Sequence, residues 1–153
     1  MPGSYDFIKS VLDASTDSIV VIDRSGAVVF SNTQWNEFGR QEGFSSSYDW
    51  CKANYIEVCD VAAENGDDDA ARALEGIRKV SRGEQASYYL EYPCHSQESQ
   101  RWFMMRVSPF TLVDMQYLVI SHQDITRRKT AEEEADRMET LNTLGRLLNN
   151  GRI

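Results

Sequence analysis

Residues Tyr117-Leu118-Val119-Ile120-Ser121-His122-Gln123-Asp124-Ile125-Thr126-Arg127-Arg128-Lys129-Thr130-Ala131-Glu132-Glu133-Glu134-Ala135-Asp136-Arg137 join an apolar strand to a highly charged helical tail that runs almost to the C-terminus. Such a junction can carry a signal out of a domain. The rest of the chain reads as one compact α+β unit, so the tail has no core of its own to complete. Its apolar positions point to another chain as partner.

Upstream of the junction, the patterning gives three strands, about Ala86 to Tyr92, Arg101 to Thr111 and Gln116 to Gln123. Gln97 to Gln100 and Val113-Asp114-Met115 are the intervening turns. Before them, Asp67-Asp68-Asp69 places carboxylates at a helix start, and Ala70, Leu74, Ile77 and Val80 form one face. Arg78, Lys79 and Arg82 precede Gly83, so the charges match the helix dipole at both ends. Residues 40 to 66, rich in Gly, Ser and Asn, read as short helical turns and loops with apolar pieces at Trp50, Tyr55, Ile56 and Val58.

Ile19-Val20-Val21-Ile22 is apolar without alternation, as in a strand buried on both faces and central in its sheet. Asp23 to Gly26 turns the chain, and Ala27 to Phe30 supplies the hairpin partner. Ser31-Asn32-Thr33-Gln34 has the form of a capping box, predicting a helix that carries Trp35 and Phe38. At the N-terminus, Phe7, Ile8, Val11 and Leu12 share one stripe of a short amphipathic helix over Ser4 to Ala14, expected to pack on its own domain.

At 153 residues the chain suits one domain plus an appendage, and a domain of this size buries roughly two-thirds of its unfolded surface without disulfides or metals. Acidic residues outnumber basic ones by 24 to 16, a formal charge of -8, which opposes attachment to nucleic acid or to an anionic membrane. Cys51, Cys59 and Cys94 lack Cys-x-x-Cys spacing, so reduced thiols in a cytoplasmic setting are expected. Neither a signal-peptide block nor an apolar run of about 20 residues is present.

The order helix, two strands, helical middle, three strands, helix resembles a PAS domain, a five-stranded antiparallel sheet with helices over one face. The resemblance covers residues 5 to 130. It rests on Asp23 to Gly26, Asn32 after the second strand, the helix ending Val80 to Gly83, Tyr92 to Ser96, Arg101-Trp102-Phe103, Ser108-Pro109 and Asp124-Ile125-Thr126. It implies that the first and last strands are adjacent at the centre of the sheet, with a ligand cavity between the sheet and the middle helices. The implied organisation is an N-terminal cap helix over 1–16, a sensory domain over 17–126 and a signalling helix over 127–153. The implied cavity residues are His122, Tyr55, Phe103, Met105, Ile77 and Glu91.

His122 is the sharpest of these. Alternation puts Leu118, Ile120, His122 and Asp124 on one face of the last strand. The position resembles the one where light-sensing LOV members of the family set a glutamine against flavin. An imidazole there could report ligand binding or protonation, or it could be a hydrogen-bonded part of the core. Photochemical LOV members carry a cysteine after the middle asparagine, whereas Asn54 is followed by Tyr55, so flavin adduct chemistry is not expected. Phe103, Met105 and Glu91 stand where flavin binders offer amide and aromatic contacts. Haem-binding members often use a histidine on the long middle helix, and Asp67 to Arg82 contains none. The cofactor is left unknown.

Cys94 and His95 are good zinc or copper ligand types, yet adjacent strand residues face opposite ways, so one ion could take both only at a turn such as Pro93 allows. The alternative is that Cys94 fills a small apolar space and His95 caps the hairpin. No Gly-x-Ser-x-Gly elbow, Gly-rich phosphate loop or His-Glu-x-x-His motif occurs, so the chain is not expected to be an enzyme.

In the outgoing segment, Asp124 and Thr126 can cap the helix, but Arg127, Arg128 and Lys129 then crowd the positive end of its dipole. Thr130-Ala131-Glu132-Glu133 is a second capping box. Either a bend near Lys129 or acidic neighbours for the basic side chains is expected. Asp124, Thr126 and Thr130 are the candidate transmission residues. Ala131, Met138, Leu141, Leu144, Gly145 and Leu148 approximate a coiled-coil seam for a parallel homodimer. The expectation is a sensory module coupling a small-molecule, redox or protonation event to this helix. The output domain would be of histidine kinase or cyclic-dinucleotide type, in a longer parent or a partner protein. The alternatives are a ligand-free dimerisation scaffold and a metal- or haem-binding sensor.

Overall fold

A computed structural model describes residues 3–41, 53–95 and 97–151. The elements are α1 (Ser4–Asp13), β1 (Ser18–Asp23), β2 (Val28–Ser31), α2 (Thr33–Gln41), α3 (Tyr55–Glu64), α4 (Asp68–Ser81), β3 (Tyr88–Pro93), β4 (Trp102–Leu112), β5 (Met115–Asp124) and α5 (Thr126–Asn150). Trp50 and Cys51 lie outside the described residues.

The five strands form one antiparallel sheet in the order β2-β1-β5-β4-β3. The first and last strands are adjacent, as the unbroken apolar run of β1 requires: Val20, Val21 and Ile22 are all buried. Ser18 pairs with His122 on one side of β5, and Met105 pairs with His122 on the other. The inward-facing residues Val20, Ile22, Met105, Val107, Leu118 and Ile120 pack under Ala73, Ile77 and Val80 of α4. At about 25 cal/mol per Å² of apolar surface buried, this layer is the main stabilising element of the fold.

Helix α4 begins as expected, with Asp67 accepting a hydrogen bond from the Ala70 amide at 3.1 Å. Helix α3 is longer than the short turns expected for this region. Asn54 caps it by accepting from the Glu57 amide at 3.1 Å. Its start is tied to the β1–β2 turn, because the Tyr55 amide donates to the Gly26 carbonyl at 2.8 Å and the Val28 amide to the Ala53 carbonyl at 3.1 Å.

Two local expectations are corrected. Asn32, not Ser31, caps α2: its side-chain oxygen accepts from the Trp35 amide at 2.9 Å and from the Ile19 amide at 2.9 Å. Its amide nitrogen donates to the carbonyls of Leu12 and Asp17, both at 2.9 Å. One fully buried side chain thus joins α1, β1 and α2. The second correction concerns α1, whose apolar stripe does not pack on the domain. Phe7 is 61% exposed and Ile8 and Val11 are each 54% exposed. The hydrogen bonds from Asn32, Thr33 and Gln34 hold only the C-terminal end of α1, leaving its face uncovered.

Candidate functional site

A cavity of about 300 Å³ opens between the sheet and α2, α3 and α4. Phe38 enters from α2, Tyr55 and Cys59 from α3, Ala70 and Ala73 from α4, Leu90 and Tyr92 from β3, Met105 from β4 and His122 from β5. Among the described residues, Pro93, Cys94 and the carboxylates Asp67 and Asp69 also line the wall. The small side chains of Ala70 and Ala73 leave room where a larger residue would close the gap.

His122 is the centre of this arrangement. Its Nε2 lies 3.3 Å from the Tyr55 hydroxyl and its Nδ1 lies 2.6 Å from the Tyr92 hydroxyl. Two further rings pack on the imidazole, Trp35 at 5.3 Å and Phe38 stacked at 5.4 Å, and the Tyr92 ring stands edge-on at 5.7 Å. Burial pushes its pKa down to about 4, so the ring is neutral near neutral pH. A neutral imidazole has one donor and one acceptor nitrogen, and therefore one tyrosine donates to it while the other accepts.

The Cys59 thiol lies one helical turn after Tyr55 on α3, beside its hydroxyl. Burial, opposed in part by the neighbouring Tyr55 hydroxyl, pushes Cys59 up to about 11, and burial likewise raises Tyr55 well above its ordinary value. Both phenols and the imidazole form one uncharged relay, Tyr55, His122, Tyr92, with the Cys59 thiol buried beside it. Cys59 and Tyr92 are not among the cavity residues expected from the sequence. Both were legible only through partners, since Tyr92 shares strand parity with Leu90, and Cys59 is one helical turn after Tyr55.

The structure brings together Tyr55, Met105 and His122 from the expected set. Phe103 is buried behind the cavity wall, its ring 5.8 Å from Tyr92 and 5.1 Å from Phe38. Ile77 belongs to the apolar core beneath the site. Glu91 is a correction: it is exposed on the opposite face of β3, because Leu90 and Tyr92 take the inward parity. There it accepts hydrogen bonds from Arg128 and, at 2.7 Å, pairs with Lys129. The Lys129 bond comes first in holding the Glu91 carboxyl below its ordinary value. Cys94 reaches the cavity wall, whereas exposed His95 accepts from the Arg101 amide at 3.1 Å.

β5 leads straight from this site into α5. The Ile125 amide donates to the Trp102 carbonyl at 2.9 Å, and the Trp102 amide donates to the Thr126 hydroxyl at 3.0 Å. Asp124 accepts from the Thr126 amide at 2.9 Å and pairs with Arg101 at 3.4 Å. Burial opposes ionisation of Asp124, yet hydrogen bonds from Thr126 and Arg101 outweigh it and hold the carboxyl below its ordinary value. The helix N-cap is Ile125, and the helix runs unbroken past Lys129, leaving exposed Thr130 inside it rather than at a second start. The dipole conflict is resolved by acidic neighbours, Glu91 and Glu132, around Arg128 and Lys129. Further along, Met138, Leu141, Leu144 and Leu148 are each at least half exposed.

The PAS domain of BvgS from Bordetella pertussis superimposes with a TM-score of 0.51 at 15% identity, covering 89% of this chain and 97% of that one. The chain has a PAS fold. An RNA-binding light-oxygen-voltage receptor has the same PAS architecture over 94% of this chain and 38% of its own, with a TM-score of 0.60 at 15% identity. In sequence, the chain is 32% identical over 126 residues to an uncharacterized 104.1 kDa protein of Rhodobacter capsulatus. That match takes in 81% of this chain, and the chain spans only 13% of the relative's length. No family model matches the sequence. Among the described residues, no helix of this PAS fold is long and apolar enough to cross a membrane.

Proposed function

We propose that this chain is a sensory module in which occupancy of the cavity moves His122 and, through β5, resets α5. The single observation that supports this reading is the placement of His122. Both ring nitrogens engage tyrosines, one from α3 and one from β3, and only Gln123 separates it from Asp124 and the clip that anchors the helix. A ligand displacing either hydroxyl must change the position or tautomer of the imidazole. That change is made on the strand that continues into the signalling helix.

The reading gives α5 a second copy as partner. Met138, Leu141, Leu144 and Leu148 recur at coiled-coil spacing, and a 25-residue helix with no buried residue is marginal alone in water. The module would act in the cytoplasm on an output domain of histidine kinase or cyclic-dinucleotide type, and it carries no reaction of its own. Solution mass of the full chain against one lacking residues 138 to 153 tests the pairing: a dimer that becomes a monomer is expected, and an unchanged monomer would count against it. Native mass spectrometry of protein purified without added cofactor tests for a retained ligand.

A ligand-free dimerisation scaffold is the second reading. The rings packed around His122 at 5.3 to 5.7 Å favour it, because they already fill that part of the site. The open volume beside Ala70 and Ala73 favours sensing.

A further inference from the structure

We infer that β3 is a second line from the cavity to α5, with Tyr92 as its inner contact and Glu91 as its outer one. The inference rests on the sensory reading above and adds to it a route that does not pass along β5.

The two residues are neighbours in sequence and point to opposite faces of one strand. Inside, the Tyr92 hydroxyl lies 2.6 Å from His122 Nδ1. Outside, the Glu91 carboxylate takes Arg128 and, at 2.7 Å, Lys129, both in the first turn of α5. A planar peptide unit joins the two Cα atoms at about 3.8 Å, so the backbone between them cannot stretch to absorb a displacement. A rocking of the strand that shifts the phenol therefore shifts the carboxylate as well.

The place of β3 in the sheet favours such a movement. Among the described residues it pairs with β4 alone, whereas β5 is held on both sides, by β1 and β4. It ends at Pro93, which has no N–H to give to the ladder. Displacing β3 disturbs one ladder, and the same displacement of β5 disturbs two.

The outer contact falls where α5 is most sensitive. Arg127, Arg128 and Lys129 stand at the positive end of the helix dipole, and Glu91 brings counter-charge from another element. Glu132, 3.5 Å from Arg128 and 4.0 Å from Lys129, belongs to α5 itself and cannot tie the helix to the sheet. The Trp102 clip fixes the chain at Ile125 and Thr126, and Glu91 adds a second point of attachment at residues 128 and 129. Two points on one rod set its direction, where one leaves it free to swing. The ion pairs are exposed and hence weak, which suits a contact that is made and broken. Lys129 also lies 5.3 Å over the Trp102 ring, a contact that Glu91→Gln leaves in place.

A mutant cycle with the two tyrosines tests the route. Tyr92→Phe and Tyr55→Phe each keep the ring and remove one hydroxyl from His122, and each is made with and without Glu91→Gln. Amide hydrogen exchange is followed from Lys129, whose amide bonds the Ile125 carbonyl, to Glu132, with the β1 amides reporting global stability separately. Tyr92→Phe is expected to change exchange in α5 at least about threefold, and to lose most of that effect in the Glu91→Gln background. Tyr55→Phe is expected to act alike in both backgrounds, because its path runs along β5. An equal effect of Tyr92→Phe in the two backgrounds, or a response of α5 to Tyr55→Phe alone, overturns the β3 route and leaves the sensory reading standing. No response of α5 to either tyrosine overturns both.

Discussion

The ring of Tyr88 lies directly over Gly76, so closely that a Cβ at position 76 would stand 2.1 Å from Tyr88 Cδ1. Helix α4 can approach β3 only because that Cβ is missing. An exposed helical Gly→Ala change gains about 1 kcal/mol from propensity. Here the clash must dominate, and Gly76→Ala is expected to cost about 1 to 3 kcal/mol in urea unfolding. In the Tyr88→Ala background the same change is expected to become neutral or stabilising, a coupling read from a double-mutant cycle.

Asn32→Ala removes a side chain that makes four hydrogen bonds while fully buried. It leaves the amides of Ile19 and Trp35 and the carbonyls of Leu12 and Asp17 to find new partners. At about 1 to 3 kcal/mol for each group left unsatisfied, the loss is expected to exceed about 3 kcal/mol. Asn32→Asp keeps the two acceptor bonds but supplies no donor to Leu12 and Asp17, so it is not expected to rescue. Chemical denaturation of both variants checks this.

The histidine at the cavity makes stability depend on pH. Its folded pKa of about 4 lies below the ordinary 6.5, so the unfolded chain binds more protons between these values. The contribution is full above about pH 6.5 and is lost as pH falls towards 4, a loss of about 3 kcal/mol at most. Thermal melts from pH 7 to 4 are expected to show this fall. His122→Gln, which can still bond both tyrosines, is expected to flatten it; an identical slope in the variant would assign the effect to other groups.

The β4–β5 turn carries Val113 at φ 49° and Asp114 at φ 60°, both in the left-handed region that favours glycine and asparagine. Val113 is 86% exposed, so no packing compensates for its strain. Val113→Asn with Asp114→Gly is expected to raise stability by about 1 kcal/mol, seen as a higher melting temperature.

Glu91→Gln removes the carboxylate shared by Arg128 and Lys129. The three like charges at the start of α5 then lose their counter-charge from β3, and faster amide hydrogen exchange over residues 126 to 130 is expected. High salt is expected to produce the same change in the unaltered protein.

The elements with one dominant local signal were legible from sequence: the apolar run of β1, the Asp-rich start and basic end of α4, and the strand-to-helix junction at Asp124. Errors arose where two local signals competed and tertiary contacts decided. Ser31 and Asn32 are both good helix caps, and only the reach to Ile19, Leu12 and Asp17 selects the asparagine. In Tyr88-Tyr89-Leu90-Glu91-Tyr92 aromatic residues occupy both parities, so alternation alone could not say whether Glu91 or Tyr92 faced inward. The relay from Tyr55 to Tyr92 joins residues from α3, β3 and β5, and no spacing along the chain announces it. For α1 the pattern correctly gave an amphipathic helix, but a pattern marks an apolar face without specifying what covers it.

The two hydrogen bonds at Trp102 also define the base of a lever arm. With 25 residues at about 1.5 Å each, α5 extends roughly 37 Å from its fulcrum. A tilt of about 10° at the base would sweep its far end through roughly 6 Å, more than one helical pitch. Under the proposed sensory reading, sub-ångström repositioning beside the imidazole would be geared up to the scale at which two packed helices exchange one set of contacts for the next.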